Sequence, residues 1–315
     1  MRRLLVGLLL PVLMLPAACG GEDAGPAEVE AGKLADITVS GGPGERPVVE
    51  FKAPLSFPET VSEVVDKGPG TGDSVESTSV VTVDYVAINA SDASRYDSTW
   101  SKGGSPATFP LDQVIEGLSV GLRGTHPGDR VLVAVASEDG YDPVGKGDDV
   151  RKGDSLIFVI DVREVSNALK AVSGPKRPAP ATVPTLNVNA EGVPTGFEAT
   201  KSTPKSVDKL GAHAVVEGKG AAVKSGQTIV VNYLGQLYPD GEVFDESYTT
   251  GETLPVQIGQ GQVIPGWDEG LVGQTVGSRV ILVIPSAQGY GPAGQGEAIP
   301  PDSDLIFVVD ILQAY

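Results

Sequence analysis

Nine residues of the C-terminal third have the types and spacing of an apolar recognition pocket: Tyr233, Phe244, Asp245, Val263, Ile264, Trp267, Tyr290, Ile299 and Phe307. They fall in three stretches: VVNYLGQLYPDGEVFDES from Val230, QIGQGQVIPGWDEGL from Gln257, and AQGYGPAGQGEAIPPDSDLIFVVDI from Ala287. Most adjoin a Gly, Pro or Asp, where strands turn and pockets open. The chemistry open to such a set is the holding of an apolar ligand. The chain has a single cysteine, Cys19, and two histidines, His126 and His213. A Cys–His nucleophile pair or a multi-histidine metal centre cannot be assembled from that inventory, so neither metal nor cofactor is expected.

The elements that must position these residues are strands. Apolar, β-branched stretches recur at Val80–Ala87, Val131–Ala136, Leu156–Val162, Thr228–Gln236, Arg279–Pro285 and Leu305–Leu312, punctuated by Gly, Pro and Asp. Two short helices are expected, at Gln113–Gly121 and Gly266–Gly273. A sheet buries one face, and a single short helix can cover part of it. The fold class is therefore α+β, an antiparallel sheet curved around one helix, present twice.

The duplication is visible in the sequence. At a spacing of about 148 residues, VVTVDYVAI from Val80 answers IVVNYLGQL from Ile229, and YDST from Tyr96 answers FDES from Phe244. Likewise QVIEGLSVGLRG from Gln113 answers QVIPGWDEGLVG from Gln262, DGYDPVGKGD from Asp139 answers QGYGPAGQGE from Gln288, and SLIFVIDV from Ser155 answers DLIFVVDI from Asp304. The leaders correspond as well, ITVSGGPG near Ile37 with LNVNAEGV near Leu186. The expected organisation is a signal peptide at 1–18, a flexible tether at 19–35, one domain at 36–165, a Pro-rich linker at 166–183 and a second domain at 184–315.

Arg2 and Arg3 precede an apolar run from Leu4 to Leu15, followed by Pro16, Ala17, Ala18 and Cys19. This is the layout of a secretory signal. It is too short to span a bilayer comfortably, since about 20 apolar residues are needed. The position of Cys19 resembles a bacterial lipoprotein signal, with lipid added to that cysteine after cleavage. Removing residues 1–18 takes away two bases from 23 and none of the 41 acids, so the net charge moves from −18 to −20. Such acidity argues against nucleic acid as a partner. It fits a soluble, extracytoplasmic globular protein, which the lipid on Cys19 would hold at the cell membrane.

Over about residues 210–315 the chain resembles the FKBP-type peptidyl-prolyl cis-trans isomerases. The likeness rests on YLGQL with Tyr233, DGEVFDES with Phe244 and Asp245, VIPGW with Val263, Ile264 and Trp267, GYG with Tyr290, IPP with Ile299, and LIFVVDIL with Phe307. The resemblance implies a five- or six-stranded antiparallel sheet wrapped around a short helix. It implies that Trp267 forms a pocket floor and that Tyr233, Phe244, Val263, Ile264 and Phe307 line its walls. Asp245 would be the pocket's one charged group. The Tyr290 hydroxyl and the Ile264 backbone N–H would donate to substrate, and Ile299 would close the mouth. Leu254 replaces a common aromatic, Gln262 a frequent Glu, and Thr250 an Arg that often packs beside the Asp. Proline-containing polypeptides would be the partners, and immunosuppressant macrolides the inhibitors.

The implied reaction needs little more than such a cradle. Resonance resists X–Pro rotation with a barrier of about 18–20 kcal/mol, and uncatalysed exchange takes tens to hundreds of seconds. A thousandfold acceleration requires about 4 kcal/mol. An apolar pocket favours the twisted amide, whose charge separation is reduced, and fixed donors add about 1–3 kcal/mol each when desolvated.

The N-terminal copy keeps Tyr85, Asp97, Val114, Ile115, Tyr141 and Phe158, but has Tyr96 in place of Phe244 and Leu118 in place of Trp267. Losing the indole should enlarge or reshape its cavity. Asp149, Arg151 and Lys152 replace much of an apolar lip. Trp100 reads as a solvent-edge aromatic. The acids Asp142, Asp148, Asp149 and Asp154 match no regular calcium loop and read as a charged turn. The expectation is an isomerase assisting folding of exported proteins, active mainly through the C-terminal copy. The rival reading is a non-catalytic module or chaperone that grips proline segments at the cell surface.

Overall fold

The structure, a computed structural model, describes residues 31–315. The signal-peptide reading of residues 1–18, the lipidation of Cys19 and residues 19–30 of the tether lie outside the described residues. The first half contains β1 (Thr38–Ser40), β2 (Val48–Glu50), β3 (Val61–Asp66), β4 (Val80–Asn89), β5 (Arg95–Ser98), β6 (Ala107–Pro110), α1 (Glu116–Leu122), β7 (Arg130–Val135) and β8 (Leu156–Ser166). The second half repeats the series as β9 (Thr185–Val188), β10 (Pro194–Glu198), β11 (Gly211–Val216), β12 (Thr228–Leu237), β13 (Val243–Glu246), β14 (Leu254–Gln257), α2 (Pro265–Leu271), β15 (Arg279–Ile284) and β16 (Leu305–Ala314).

Each half forms a six-stranded antiparallel sheet. The order is β3-β7-β8-β4-β5 with β6 beside β4 in one, and β11-β15-β16-β12-β13 with β14 beside β12 in the other. The fold class expected from the sequence is the one observed. Both helices start later or end earlier than their apolar patterns suggest. Val114 and Ile115 are extended, which separates α1 from the short 3-10 turn at Leu111–Gln113. Pro265 occupies the first turn of α2, where its missing N–H costs nothing, and extended Val272 ends that helix before Gly273.

The helices sit close on their sheets because each presents glycines at i and i+4. A methyl group built on Gly117 would stand 2.2 Å from Val135, and one on Gly121 would stand 2.5 Å from Val133. Gly266 and Gly270 meet Ile284 and Leu282 in the same way, at 2.5 and 2.7 Å. The spacing places both glycines of a helix on one face, and β-branched or Leu side chains of the sheet fill the space they leave.

The expectation that one sheet face is buried is too small. Side chains of β16 alternate between two cores, Leu305, Phe307, Val309 and Ile311 under the helix and Ile306 and Val308 on the opposite face. The opposite face is covered by the leader, through Val183, Phe197 and Leu186. In the first half Ile37, Phe57, Val39 and Val49 cover Ile157 and Val159 in the same way. Trp100 packs into this outer cluster and is half-buried, away from the cavity described below.

Each leader hairpin is fastened by a buried ion pair. Arg130, 1% exposed, donates to Asp161 at 2.6 and 2.9 Å, and its remaining donors reach the carbonyls of Gly41 and Glu45 in the β1–β2 turn. Arg279 donates to Asp310 at 2.7 Å through two nitrogens and to the Gly192 carbonyl at 3.0 Å in the β9–β10 turn. Every guanidinium donor so used offsets part of the desolvation of the pair.

Among the described residues, parts of the segments expected to be tether and linker take part in the fold. Gly32 N–H donates to the Ser56 carbonyl at 2.7 Å, and Leu34 packs on the outer cluster. Residues 175–177 run beside β11, with Arg177 N–H on the Val215 carbonyl at 2.9 Å and Glu217 N–H on the Pro175 carbonyl at 3.0 Å. A proline-rich stretch thereby covers an edge strand, where missing N–H groups do no harm.

Candidate functional site

The second half holds a cavity of about 420 Å³ between α2, the sheet and the loop after β15. Tyr233, Phe244, Asp245, Leu254, Gln262, Val263, Ile264, Trp267, Tyr290 and Phe307 line it. Its bed is a chain of edge-on rings. Tyr233 and Trp267 have centroids 5.6 Å apart at 81°, Trp267 and Phe307 5.4 Å at 85°, and Phe307 and Phe244 5.6 Å at 81°. Edge-to-face contacts of this kind favour one relative orientation over free rotation. Trp267 is 4% exposed, and its indole Nε1 has no acceptor among the described residues.

Strand register explains the assembly. Tyr233 and Gly235 lie two apart on β12, so both face the helix side. Gly235 pairs with Phe307 of β16 and with Asp245 of β13. The Tyr233 hydroxyl then donates to Asp245 Oδ2 at 2.6 Å. Burial, then this bond and the neighbouring negative charge, raise the Tyr233 phenol far above its ordinary value, so it stays a donor. Burial and the charge of Asp245 also raise Tyr290.

Supporting contacts hold the loops. Asp268 accepts from the N–H groups of Gly259 and Gly261, both at 2.7 Å, tying the stretch before Val263 to the first turn of α2. Glu269 accepts from Gln288 at 2.7 Å, two residues before Tyr290. Asp304 accepts from Ser286 N–H at 2.9 Å and fixes the start of the same loop.

A second cavity, of about 290 Å³, occupies the corresponding place in the first half, lined by residues including Tyr85, Ala87, Tyr96, Asp97, Leu118, Tyr141, Lys146 and Phe158. Tyr85 donates to Asp97 at 2.6 Å, repeating the pair of the second half. Of the two outcomes expected from losing the indole, enlargement or reshaping, this cavity is not enlarged; it is the smaller of the two. Ala87 stands where Gly235 does, its methyl is fully buried, and the Tyr96–Phe158 rings are spread to 6.3 Å. The Tyr96 hydroxyl is buried without a hydrogen-bond partner among the described residues, and Lys146 reaches over the mouth.

The family profile described as FKBP-type peptidyl-prolyl cis-trans isomerase matches residues 72–163 and 219–312. The chain belongs to that family. Among curated relatives, the FK506-binding protein of Streptomyces anulatus is 45% identical over 97 residues, 30% of this chain and 78% of that one. FK506-binding protein 2 of Kluyveromyces lactis is 45% identical over 87 residues, 28% of this chain and 62% of its own. The FKBP-type peptidyl-prolyl cis-trans isomerase FkpA of Escherichia coli K12 is 45% identical over 116 residues, 37% of this chain and 42% of its own. The alignments thus span less than two thirds of the last two.

Of the residues singled out in the second FKBP domain, the structure brings Tyr233, Phe244, Asp245, Leu254, Val263, Ile264, Trp267, Tyr290 and Phe307 to one cavity. Ile299 is not among its lining residues. It is 3% exposed and packs in the core, with its backbone bridged to Gln295, which pins the loop between Tyr290 and Leu305, here called the flap, from beneath. Thr250 bonds to the Ser247 carbonyl at 3.1 Å. Sequence reasoning missed Gly235, Asp268, Glu269 and Lys146. The alignment of IVVNYLGQL with VVTVDYVAI, Gly against Ala, carried the signal for the first.

Proposed function

We propose that the protein is a peptidyl-prolyl cis-trans isomerase exported across a membrane, held there by a lipid on Cys19, and active chiefly through the cavity of its second FKBP domain. The observation that carries this reading is the ordered bed of Tyr233, Trp267, Phe307 and Phe244 beneath an opening edged by Asp245 and Tyr290. A prolyl ring seated on it leaves water behind. The twisting amide then meets the Tyr290 hydroxyl and the Ile264 N–H, at the start of α2, as donors. No bond is made or broken, and the protein acts by favouring the twisted state over the planar one. Val263, Ile264 and Leu254 hold the flanking residues, and immunosuppressant macrolides compete for the same place.

The test is a protease-coupled proline-peptide assay on the whole chain. Asp245→Ala and Phe307→Ala each remove most turnover, whereas Asp97→Ala and Phe158→Ala remove little. A wild-type chain no faster than buffer would favour the binding-module reading. Fatty-acid labelling that disappears in Cys19→Ala tests the anchor. Clients are exported polypeptides whose folding waits on proline isomerisation.

A further inference from the structure

Lys146 and Gln295 hold one place in the two domains. Lys146 N–H donates to the Val150 carbonyl at 2.8 Å, and Gln295 N–H donates to the Ile299 carbonyl at 2.8 Å, each closing the bridge that shapes the flap. Val150 and Ile299 are both buried beneath it. The side chains on top differ. Lys146 lines the first cavity, while Gln295 lines no part of the second.

The Lys146 ammonium lies 5.0 Å from the centre of the Tyr141 ring and 5.3 Å from that of Tyr96, and donates to the Tyr141 hydroxyl at 3.2 Å. Two tyrosine faces hold it at the mouth. Among the described residues it forms no ion pair. Three carboxylates of this end of the domain have other donors. Asp97 accepts from Tyr85, Asp142 from Gly153 N–H, and Asp154 from Arg151 N–H, Asn89 and Ser91. A cation is thus held over an apolar cavity, on a chain whose net charge is −18.

Resting on the reading of these cavities as proline sites, we propose that the first FKBP domain selects segments with an acidic residue adjoining the proline, and that Lys146 reads the carboxylate. A cavity of about 290 Å³ takes a prolyl ring and its amides, leaving the neighbouring side chain at the mouth. There the ammonium meets it. The second domain, with Gln295 at that place, does not sort by this charge. The two domains then receive different parts of one client.

Fluorine spectra of the full chain labelled with fluorotyrosine report each cavity separately, Tyr96 and Tyr141 for the first, Tyr233 and Tyr290 for the second. The probes are short peptides with Glu-Pro, Pro-Glu, Gln-Pro and Pro-Gln at the centre. At least one Glu peptide is expected to shift Tyr141 with a Kd about fivefold below its Gln partner, about 1 kcal/mol. Tyr233 and Tyr290 respond alike to Glu and Gln. Lys146→Gln removes the preference and Lys146→Arg keeps it. The proposal falls if Glu and Gln peptides bind the first cavity equally, if none shifts its tyrosines at saturation, or if Lys146→Gln tightens all peptides alike, which would make the lysine a plug. The proline-peptide turnover of the same chain is measured alongside. Turnover together with equal binding of Glu and Gln peptides in the first cavity sinks this proposal alone, and absence of turnover sinks the isomerase reading.

Discussion

Gly235 lies opposite Phe307 across the β12–β16 ladder, and a methyl group built on it would stand 2.6 Å from the Phe307 ring and 2.7 Å from Phe244. The glycine is what lets the two rings meet at 5.6 Å. Gly235→Ala forces them apart, toward the 6.3 Å spacing found around Ala87. Overpacking of this kind costs about 1–3 kcal/mol. Stability should fall within that range, and kcat/KM on proline peptides should drop roughly tenfold. An unchanged kcat/KM would separate ring spacing from function.

The Tyr233 phenol gives a pH prediction. Burial first, and then the bond to Asp245, hold its proton above the ordinary value of 10.0. A proton held more tightly in the folded chain contributes stability that is complete below about pH 10 and is lost as pH rises through the raised folded value. Turnover should be level through roughly pH 9, since the phenol does not ionise there. Urea midpoints should fall more steeply above about pH 10 in wild type than in Tyr233→Phe. Parallel slopes would show that this phenol carries no linkage.

Trp267→Leu brings the first domain's residue into the second. The indole makes no hydrogen bond among the described residues, so the cost is packing, about 2 kcal/mol by analogy with other large-to-small changes in cores. Phe307 and Tyr233 lose the ring between them. Turnover should fall more than stability alone explains, measured as kcat/KM on a chain shown folded by circular dichroism.

Arg130→Met leaves Asp161 buried and unpaired, which should destabilise the first domain by about 3–5 kcal/mol. The double change Arg130→Met with Asp161→Leu should recover much of that loss. The β1–β2 hairpin should nevertheless gain hydrogen exchange, because the Gly41 and Glu45 carbonyls lose their donor and Gly44 N–H its acceptor. Urea unfolding with exchange read residue by residue tests both parts.

The long strands, the two helices and the duplication were legible because apolar periodicity reports burial directly. The ring-bearing residues were legible as motifs. Short strands such as β5, β6, β13 and β14 were not, since four residues with few apolar positions carry no period. Covering of the second face was hidden because Ile37, Phe57, Val183 and Phe197 are scattered among prolines and polar residues. The contraction of the first cavity was also hidden. It depends on a backbone-adjacent methyl at Ala87 and a lysine five residues past Tyr141, and substituting Leu118 for Trp267 points the other way.

The strands that finish each sheet, β8 and β16, are the last to be made, yet they lie in the middle, β8 between β7 and β4 and β16 between β15 and β12. The arginine fasteners reach back 89 and 87 residues to their glycine carbonyls. During synthesis each half therefore waits as two unjoined flanks until its closing strand arrives, so its sheet is completed by a late, long-range closure.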